Sequence, residues 1–415
     1  MQACFYHMEQ ELIPHLFRTE YARIVSVLAR RFGFDQIEIA EDIAAETFLA
    51  AMQSWPVNGI PPNVTAWLYN VAKNKAKNYF KRQVIYHDKI APGLIRNVDL
   101  INQPDIDLSA QSITDSQLQM MFAICNPLIP AEAQIGLALR ILCGFGIAEI
   151  ADAFLTNKET INKRLFRAKE KLRDENVQIE FPGTAAIEQR LDNVSTTIYR
   201  LFTEGYYSIN QTQTIRHELC FGAILLCTML IQNSATDKPK VSALLSLMYF
   251  QASRLNARLD KNGELILYDD QDTSLWDAEM ISKGGYFLNR ASTGKQLSKY
   301  HLEAAIAYWN TQKTDSIEKW ETVLQLYNQL LQIEYSPIAA LNRTYALSKA
   351  NGKAEAIVEA EKLQLTNNHF YYVLLGDLYS DVDNQQAKTH LKTALSIAKT
   401  ATDKQTISKK LDNLK

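Results

Sequence analysis

The sequence predicts an all-α protein, and three observations lead to that fold class. Only 15 glycines and 11 prolines occur among 415 residues, which disfavours turn-rich sandwiches, propellers and collagen-like chains. Apolar residues in the first 85 positions recur at helical spacing. The long segment that follows residue 183 is also helical in pattern and shows no strand-like alternation.

Charge and cysteine usage narrow the class further. The chain carries 44 Lys and Arg against 46 Asp and Glu, so any nucleic-acid site must be local. Its five cysteines are an odd number without C-x-x-C spacing, which argues against a disulfide framework and a zinc site. The first basic residue is Arg18, and the longest apolar run, Leu219 to Ile231, is too short to span a bilayer. We therefore expect a cytoplasmic protein without membrane association, in which most thiols are buried.

The first predicted domain covers residues 1–85. Two stripes of apolar residues at helical spacing flank a turn at 56–62, which contains three prolines and one glycine. From 86 to 117 the helical pattern fades, acids outnumber bases, and Pro92 and Pro104 interrupt the chain. We interpret this segment as a flexible acidic linker.

The second predicted domain, residues 118–175, contains a helix-turn-helix. Two short helices, 146–154 and 158–173, each carry an apolar stripe and are separated by three residues. Thr156 and Glu159 stand at capping-box spacing, which would start the second helix at the joint. The N-terminal end of that helix is then free to enter a DNA groove.

The second helix of this motif is strongly basic. Between Lys158 and Arg173 there are seven bases and two acids. At 3.6 residues per turn, Lys163, Phe166 and Arg167 lie opposite the apolar stripe, where a recognition helix presents groups to base edges and phosphates. A solvated surface helix would also carry charges, but the coincidence of the basic bias with the capped second helix favours DNA binding.

A further basic face lies on the helix predicted for 65–82. Lysines recur at every fourth position, no acid lies between them, and two asparagines share their face. The basic and amide residues are Asn70, Lys73, Asn74, Lys75, Lys77, Lys81 and Arg82. Such a face can follow a phosphate backbone, while amides and aromatic rings contact exposed bases. A solvated surface explains the lysines alone equally well, and Trp67 and Tyr79 are better explained as core residues.

Asp42 and Glu46 lie four residues apart on the helix that precedes the turn. A catalytic carboxylate pair is conceivable at this spacing. However, the spacing also fits an exposed helical face, and no histidine or metal-ligand cluster is near in sequence. Docking to a partner is therefore the favoured interpretation.

The residues beyond 175 divide into a helical extension, 176–335, and a repeat-like end, 336–415. Pairs of residues recur 34 positions apart in the first helices of the repeat and 33 positions apart in the second helices. The matched positions are Leu341 with Leu375, Tyr345 with Tyr379, Ala354 with Ala387 and Val358 with Leu391. This period is typical of the tetratricopeptide unit. Two imperfect copies could also coincide by chance, but real repeats are favoured.

No cofactor, metal site or catalytic residue is predicted. The acidic cluster 269–272 lacks the glycine and the acid that an EF-hand needs at its sixth and twelfth positions. Ser274 and Asp277 instead fit a capping box that opens a helix at Trp276. The glycines at 144–146 lack the third glycine and the preceding strand of a dinucleotide loop.

Three motifs in order resemble those of an extracytoplasmic-function (ECF) RNA polymerase sigma factor. They are Ala40–Phe48, Ala66–Asn74, and Ile150–Ala151 with Arg167–Arg173. Further stretches are similar to the subgroup whose sigma core is followed by a long helical, tetratricopeptide-like extension. These are 125–135, 201–206, 269–277 and 336–343, and Asn126 departs from the histidine that the subgroup more often carries.

The resemblance implies core RNA polymerase and promoter DNA as partners. Asp42, Glu46 and Phe48 match the positions that dock on the polymerase clamp. Asn58 and Asn63 match the loop that receives a flipped promoter base. Together with the two basic helices, the resemblance gives the following DNA-binding residues: Asn58, Asn63, Asn70, Lys73, Asn74, Lys77, Lys81, Arg82, Lys158, Asn162, Lys163, Arg164 and Arg167. Those of the first helix would engage the minus-10 element, and those of the helix-turn-helix the minus-35 element.

The sequence therefore predicts a sigma factor, not an enzyme, that initiates transcription and is regulated by its C-terminal extension. The extension is expected to contact the sigma core or a partner protein. One alternative is a helix-turn-helix regulator with a tetratricopeptide-like sensor, which would bind duplex DNA without polymerase. Another is an enzyme in the extension, for which the sequence shows no catalytic constellation. Copurification with core polymerase separates the first two hypotheses, and turnover by the extension would support the third.

Overall fold

The computed structural model of the chain describes residues 2–90, 106–207, 213–258, 266, 268–294 and 296–414. Within these ranges the chain forms eighteen α-helices, short 3₁₀ turns and a π-helical turn, and no strand. The predicted all-α class is therefore confirmed. The chain divides into two compact units, Met1–Thr236 and Asp237–Lys415.

The described helices of the first unit are α1 (Gln2–Phe32), α2 (Ile37–Asn58), α3 (Val64–Ile90), α4 (Ala110–Ile124), α5 (Ala131–Leu137), α6 (Ile147–Ala153), α7 (Lys158–Asp174), α8 (Thr184–Tyr207) and α9 (Gln213–Gln232). A π-helical turn, Ala138–Leu142, continues α5. We call α1–α3 the N-terminal module and α4–α7 the helix-turn-helix module.

The core of the N-terminal module forms where α1 packs on α2. Ile24 and Leu28 of α1 and Ile37 and Ala44 of α2 are fully buried. Helix α2 continues past Pro56, which lies in its last turn. Proline there removes a single backbone hydrogen bond, so the helix ends only at Asn58 and the turn starts later than predicted.

The segment predicted as a linker, 86–117, is helical at both of its ends. Helix α3 continues to Ile90, and α4 begins at Ala110 because the Ser109 side chain caps it. Residues 91–105, which include Pro92 and Pro104, lie outside the described residues.

Helices α8 and α9 pack on the helix-turn-helix module. Arg190 of α8 donates a hydrogen bond to the Phe122 carbonyl oxygen at 2.8 Å, and Thr197 donates to the Gln134 side-chain oxygen at 2.7 Å. The apolar run predicted as a core helix, 219–231, lies in α9, and most of its side chains are buried. The first part of the extension is thus built into the same unit as the two modules.

The described helices of the second unit are α10 (Pro239–Ala252), α11 (Ala278–Ala291), α12 (Lys299–Trp309), α13 (Ile317–Ile333), α14 (Pro337–Asn351), α15 (Lys353–Leu363), α16 (His369–Tyr379), α17 (Asn384–Ile397) and α18 (Ala401–Asn413). From α13 onward each helix packs mainly on its neighbours in the chain. This arrangement is typical of helical repeats.

The predicted match between α15 and α17 is wrong in register. Ala354 and Val358 are exposed, whereas their supposed equivalents in α17 are buried. The buried small residues of α15 are Ala356 and Ala360. The predicted 33-residue offset therefore rests on side chains of α15 that face solvent and not the core. That the repeats are tetratricopeptide-like remains a prediction.

Aspartates, not Ser274, cap the helices around Trp276. The Asp272 side chain accepts a hydrogen bond from the Ser274 N–H at 2.9 Å, and Asp277 accepts from the Met280 N–H at 2.9 Å. Helix α11 therefore begins at Ala278, after Trp276, and the predicted capping box is corrected to two single caps.

Candidate nucleic-acid interface

The exposed face of α3 carries the first group of predicted DNA-binding residues. Asn70, Asn74, Lys81 and Arg82 are exposed, whereas Lys73 and Lys77 are half-buried. On the opposite side of the helix, Leu68, Ala72 and Ala76 are fully buried. At about 100° per residue, the two asparagines and the lysines at 73, 77 and 81 share an arc of about 100°. The structure thus brings these predicted residues together on one helix face.

The two asparagines of the preceding turn lie at the ends of helices. The Asn63 side chain accepts a hydrogen bond from the Ala66 N–H at 2.9 Å and so helps to start α3. The Asn58 amide donates to the Ser54 hydroxyl at 3.2 Å at the end of α2. Both side chains are exposed. Their exposed amides flank the turn between α2 and α3.

The aromatic residues of α3 contribute to packing. The Trp67 ring lies 5.4 Å from that of Trp55, and the Phe80 ring lies 5.1 Å from that of Phe32. Tyr69 donates a hydrogen bond to Glu20 at 2.6 Å, and burial together with this bond raises the pKa of the Tyr69 phenol. These rings fix the position of α3 and leave contact with nucleic acid to its polar face.

The N-cap of α7 lies one residue later than the sequence suggested. The Asn157 side chain accepts a hydrogen bond from the Thr160 N–H at 2.8 Å, so the N-cap is Asn157 and not Thr156. Leu155, in the joint, has a positive φ of 49°. The tight joint brings the chain into α7 at Asn157, whose amide oxygen is the effective capping group.

Four predicted DNA-binding residues are exposed on α7. They are Lys158, Asn162, Lys163 and Arg167, and Phe166 among them is 54% exposed. Arg164 differs from them because its guanidinium stacks over the Phe154 ring at 5.3 Å and is only partly exposed. The apolar stripe of α7 is buried, so the polar face points to solvent.

The sequence count overstates the positive charge that α7 offers to DNA. Lys169 is 8% exposed and forms an ion pair with Glu41 of α2. Arg173 forms ion pairs with Glu38 at 3.0 Å and with Asp35 at 3.8 Å. Two of the seven bases therefore bind the N-terminal module instead of facing away from the protein.

The predicted polymerase-docking residues of α2 do not share one environment. Asp42 and Glu46 are exposed, and Glu46 forms an ion pair with Lys75 of α3 at 2.8 Å. Phe48 is 3% exposed, and its ring lies 5.0 Å from that of Phe17. Because Phe48 is a core residue, we correct its predicted role from surface contact to support of α2.

Sequence reasoning missed the residues that join the two modules. Arg140 donates to Glu41 at 3.2 Å, and Arg18 forms ion pairs with Glu149 of α6 and with Glu218 of α9. Their partners lie about a hundred or more positions apart in the chain. No local periodicity or motif signals pairs at such distances, so only the fold reveals them.

The described residues offer no metal-binding group of three or more histidine, cysteine or acidic side chains. Burial raises the pKa of the Cys125 and Cys143 thiols to about 12, which keeps both protonated near neutral pH. In the described part of the chain, no helix is both long enough and apolar enough to cross a bilayer.

Comparison with known proteins identifies the N-terminal module. Residues 16–84 match the family model of sigma-70 region 2. Residues 190–292 match a second model, which describes a family of unknown function (DUF6596). No solved structure gives a significant match.

Three relatives cover different shares of the chain. An uncharacterized protein of Rhizobium meliloti is 31% identical over 387 residues, which make up 92% of this chain and 91% of the relative. The RNA polymerase sigma factor YlaC of Bacillus subtilis is 25% identical over 165 residues, or 40% of this chain and 91% of the relative. The ECF RNA polymerase sigma-E factor of Haemophilus influenzae is 26% identical over 132 residues, or 31% of this chain and 70% of the relative.

An all-α chain with a sigma-70 region 2 module has the architecture of a sigma factor, which is a class of transcription factor. The chain belongs to one family with the Rhizobium protein, which it matches over nearly its whole length, and its more distant similarity to the two named sigma factors supports the ECF type.

Proposed function

We propose that this sigma factor binds core RNA polymerase, recognises the minus-35 element through α7 and the minus-10 element through α3, and thereby initiates transcription. One observation carries the proposal. Two separate basic faces, on α3 and on α7, are exposed in a chain whose net charge is −2. Local positive charge in a neutral chain is typical of nucleic-acid recognition.

On α7, the exposed residues divide by chemistry. Arg167 and Asn162 have side chains that can form paired hydrogen bonds with base edges, whereas Lys158 and Lys163 suit phosphates. Arg164 lies at the edge of this face, held by its stacking on Phe154, and we assign it a phosphate contact.

On α3, amides and lysines alternate along the face assigned to the minus-10 element. Asn70 and Asn74 would contact exposed bases, and the lysines at 73, 77 and 81 together with Arg82 would follow the strand backbone. Asn58 and Asn63 would receive a flipped base, a step that costs a few kcal/mol of unstacking.

Asp42 and Glu46 are the proposed docking residues for core polymerase. Both carboxylates are exposed on α2 and would attract a basic surface. The Lys75 partner of Glu46 is itself half-exposed, so the pair is screened by solvent and is easily exchanged for a new partner.

We further propose that the extension regulates the sigma core. The contacts of α8 and α9 with the helix-turn-helix module support this role, because part of the extension is joined to a DNA-binding module. The division of the extension at residue 335, the tetratricopeptide-like nature of 336–415 and the cytoplasmic location belong to the same proposal.

In vitro transcription with purified core polymerase on a genomic fragment library tests the proposed function. The full chain should direct initiation at a shared two-part promoter. Replacing Arg167 by alanine should reduce transcription by about 5- to 150-fold, since each base contact contributes about 1–3 kcal/mol. Lys171→Ala is the matched control, because Lys171 lies on the same helix but pairs with Glu175.

Two results would contradict the proposal. A chain that does not copurify with core polymerase but binds duplex DNA would support the alternative of a conventional helix-turn-helix regulator. Equal transcription with the Arg167→Ala and Lys171→Ala proteins would remove α7 as the reader of the upstream element.

A further inference from the structure

The second unit contains a cavity of about 400 Å³ that the proposed function does not use. Small-molecule sites in proteins usually enclose about 300–1,000 Å³, so this volume suits a compact ligand. The lining comes from α13, α14, α16 and α18 and from the segments that follow α10 and α12. It includes the rings of Tyr268, Trp320, Tyr327 and Tyr345 and the side chains of Arg254 and Asn342.

The aromatic side chains of the lining favour a planar ligand. Trp320 is 6% exposed, and its ring lies 5.5 Å from that of Tyr345 at an interplanar angle of 83°. Tyr327 follows Trp320 by about two helical turns, which places both on one face of α13. Such rings attract a further ring in stacked or edge-to-face arrangements.

Positive charge accumulates around these rings. The Arg254 guanidinium lies 5.5 Å from the centre of the Tyr268 ring, and the Lys319 ammonium lies 5.5 Å from the same ring. The Lys349 ammonium lies 5.7 Å from the centre of the Trp320 ring. Arg254 is 8% exposed and Lys319 is 2% exposed. Because the surroundings of both charges are poor in water, their attraction for an anion is strong.

The acids near the cavity are paired with lysines. Asp315 binds Lys349 at 3.3 Å and also accepts a hydrogen bond from the Trp320 indole. Asp377 binds Lys410 through both carboxylate oxygens, at 2.8 and 2.9 Å. Arg254 and Lys410 against Asp377 give the lining a net charge of +1. The lining is therefore complementary to an anion.

Polar groups that can orient a ligand also lie at the cavity. Asn310 and Asn342 line it, and neither side-chain amide has a hydrogen-bond partner among the described residues. The indole N–H of Trp276 is buried without a hydrogen-bond partner, and the Arg254 guanidinium lies 5.9 Å from the centre of that ring. Unpaired donors are rare in protein interiors, and an anionic ligand supplies acceptors.

We propose that this cavity binds a small ligand in which a planar ring carries an anionic group such as a carboxylate or a sulfonate. The ring lies among Trp320, Tyr327 and Tyr345, the anion binds Arg254, and Asn342 forms a hydrogen bond with the ligand. The ligand thereby joins the segment after α10 to the repeat-like helices. This inference goes beyond the proposed function, because neither DNA nor polymerase takes part in the binding.

Two fluorescent probes with the same rings test the site on the full chain. Anilinonaphthalene sulfonate (ANS) carries a sulfonate, and N-phenylnaphthylamine (NPN) lacks it. ANS should bind saturably and about tenfold more tightly than NPN, since only ANS forms charge-assisted hydrogen bonds with Arg254. Arg254→Met should remove the difference between the two Kd values, and Arg254→Lys should restore part of it. Fluorescence titration measures each Kd.

A blocked cavity locates the bound probes. Val373 is half-buried and lines the cavity, so Val373→Trp should fill the space and weaken both probes by about tenfold or more. Val358→Trp is the matched control, because it makes the same substitution at a position that is 54% exposed on α15. It should leave both Kd values unchanged.

Asn342→Leu tests the site at an exposed position, where the substitution does not threaten folding. It should weaken ANS binding by about 2- to 12-fold through the lost hydrogen bond. Equal Kd values for ANS and NPN in the wild-type chain would overturn the inference. ANS affinity at the wild-type level in either the Val373→Trp or the Asn342→Leu protein, each shown to be folded by circular dichroism, would also overturn it. Since these titrations contain no DNA and no polymerase, either result leaves the proposed function unchanged.

Discussion

At the scale of single residues, two adjacent glycines of α11 have different surroundings. A Cβ at Gly284 would lie 2.7 Å from the Phe250 ring, which is 1% exposed and cannot move aside. A Cβ at Gly285 would meet nothing within 4 Å. Gly284 also accepts a hydrogen bond from Ser246 at 2.8 Å. The first glycine is therefore needed for close packing between α10 and α11, and the second is not.

Gly284→Ala should destabilise the protein by about 1–2 kcal/mol, because overpacking outweighs the gain in helix propensity. Gly285→Ala should stabilise it by about 0.5–1 kcal/mol, since only the propensity term remains. Urea unfolding of both variants measures the difference. Equal shifts in the two proteins would contradict the packing argument.

The role of a single residue could be predicted from sequence only where the apolar pattern of its own helix determines it. The exposure of Lys163 and Arg167 follows from the apolar stripe on the far side of α7. The burial of Lys169 does not follow, because the acid that binds it lies on α2, 128 positions away. The resemblance assigns Phe48 to polymerase docking, whereas its side chain is 3% exposed and packs in the core.

At the scale of elements, the start of α7 depends on one side chain. Asn157 and Thr156 can both cap helices, and the sequence pointed to Thr156 through its spacing to Glu159. The structure gives Asn157 the capping hydrogen bond instead. The choice depends on backbone torsions in the joint, such as the positive φ at Leu155, which spacing alone does not specify.

Asn157→Ala should lower the free energy of unfolding by about 1 kcal/mol, the usual cost of a lost N-cap. Thr156→Ala should change it by less than about 0.5 kcal/mol, as for a substitution away from such features. Thermal unfolding followed by circular dichroism distinguishes the two. If Thr156→Ala lowered the free energy of unfolding more than Asn157→Ala does, the result would instead support the capping box that the sequence suggested.

Helices were otherwise predicted well where the apolar periodicity extends over many residues and glycine and proline are few. The helix predicted for 158–173 agrees with α7, and that predicted for 65–82 lies within α3. Errors fall at the ends, where a proline in the last turn of α2 proved compatible with the helix. Helix ends depend on caps and on tertiary contacts more than on the apolar pattern.

At the scale of the whole molecule, the sigma core does not end where its motifs end. The motifs of the sigma core end near residue 173, yet α8 and α9 cover the helix-turn-helix module. Side chains of α8 such as Leu191, Val194 and Phe202 are fully buried in this unit. A chain cut after residue 175 would expose the apolar surface that they cover.

We therefore expect the fragment 1–236 to fold and the fragment 1–175 to be unstable. The shorter fragment should melt at least about 10 °C lower or aggregate, because about 1 kcal/mol corresponds to roughly 2–4 °C at this size and several kcal/mol of burial are lost. Circular dichroism melts and light scattering provide the measurements. Equal stability of both fragments would show that α8 and α9 contribute nothing to the core.

The contacts between the modules were the feature of the structure that was hardest to predict from sequence. Low glycine and proline content and helical spacing gave the all-α class, and three motifs gave the order of the modules. The ion pairs and hydrogen bonds between modules join residues 99 to 139 positions apart, so neither composition nor spacing reveals them.

Gly144 has a positive φ of 72°, and any Cβ there would overlap the Arg18 carbonyl oxygen. The packing of α1 on the loop before α6 therefore requires a residue without a side chain at position 144, in addition to the ion pairs between the modules. Salt weakens the ion pairs by screening, but it does not change the steric requirement at Gly144. A methyl group at this position would push the Arg18 backbone of α1 away from Gly144. This steric separation of the two modules would be the same at any ionic strength.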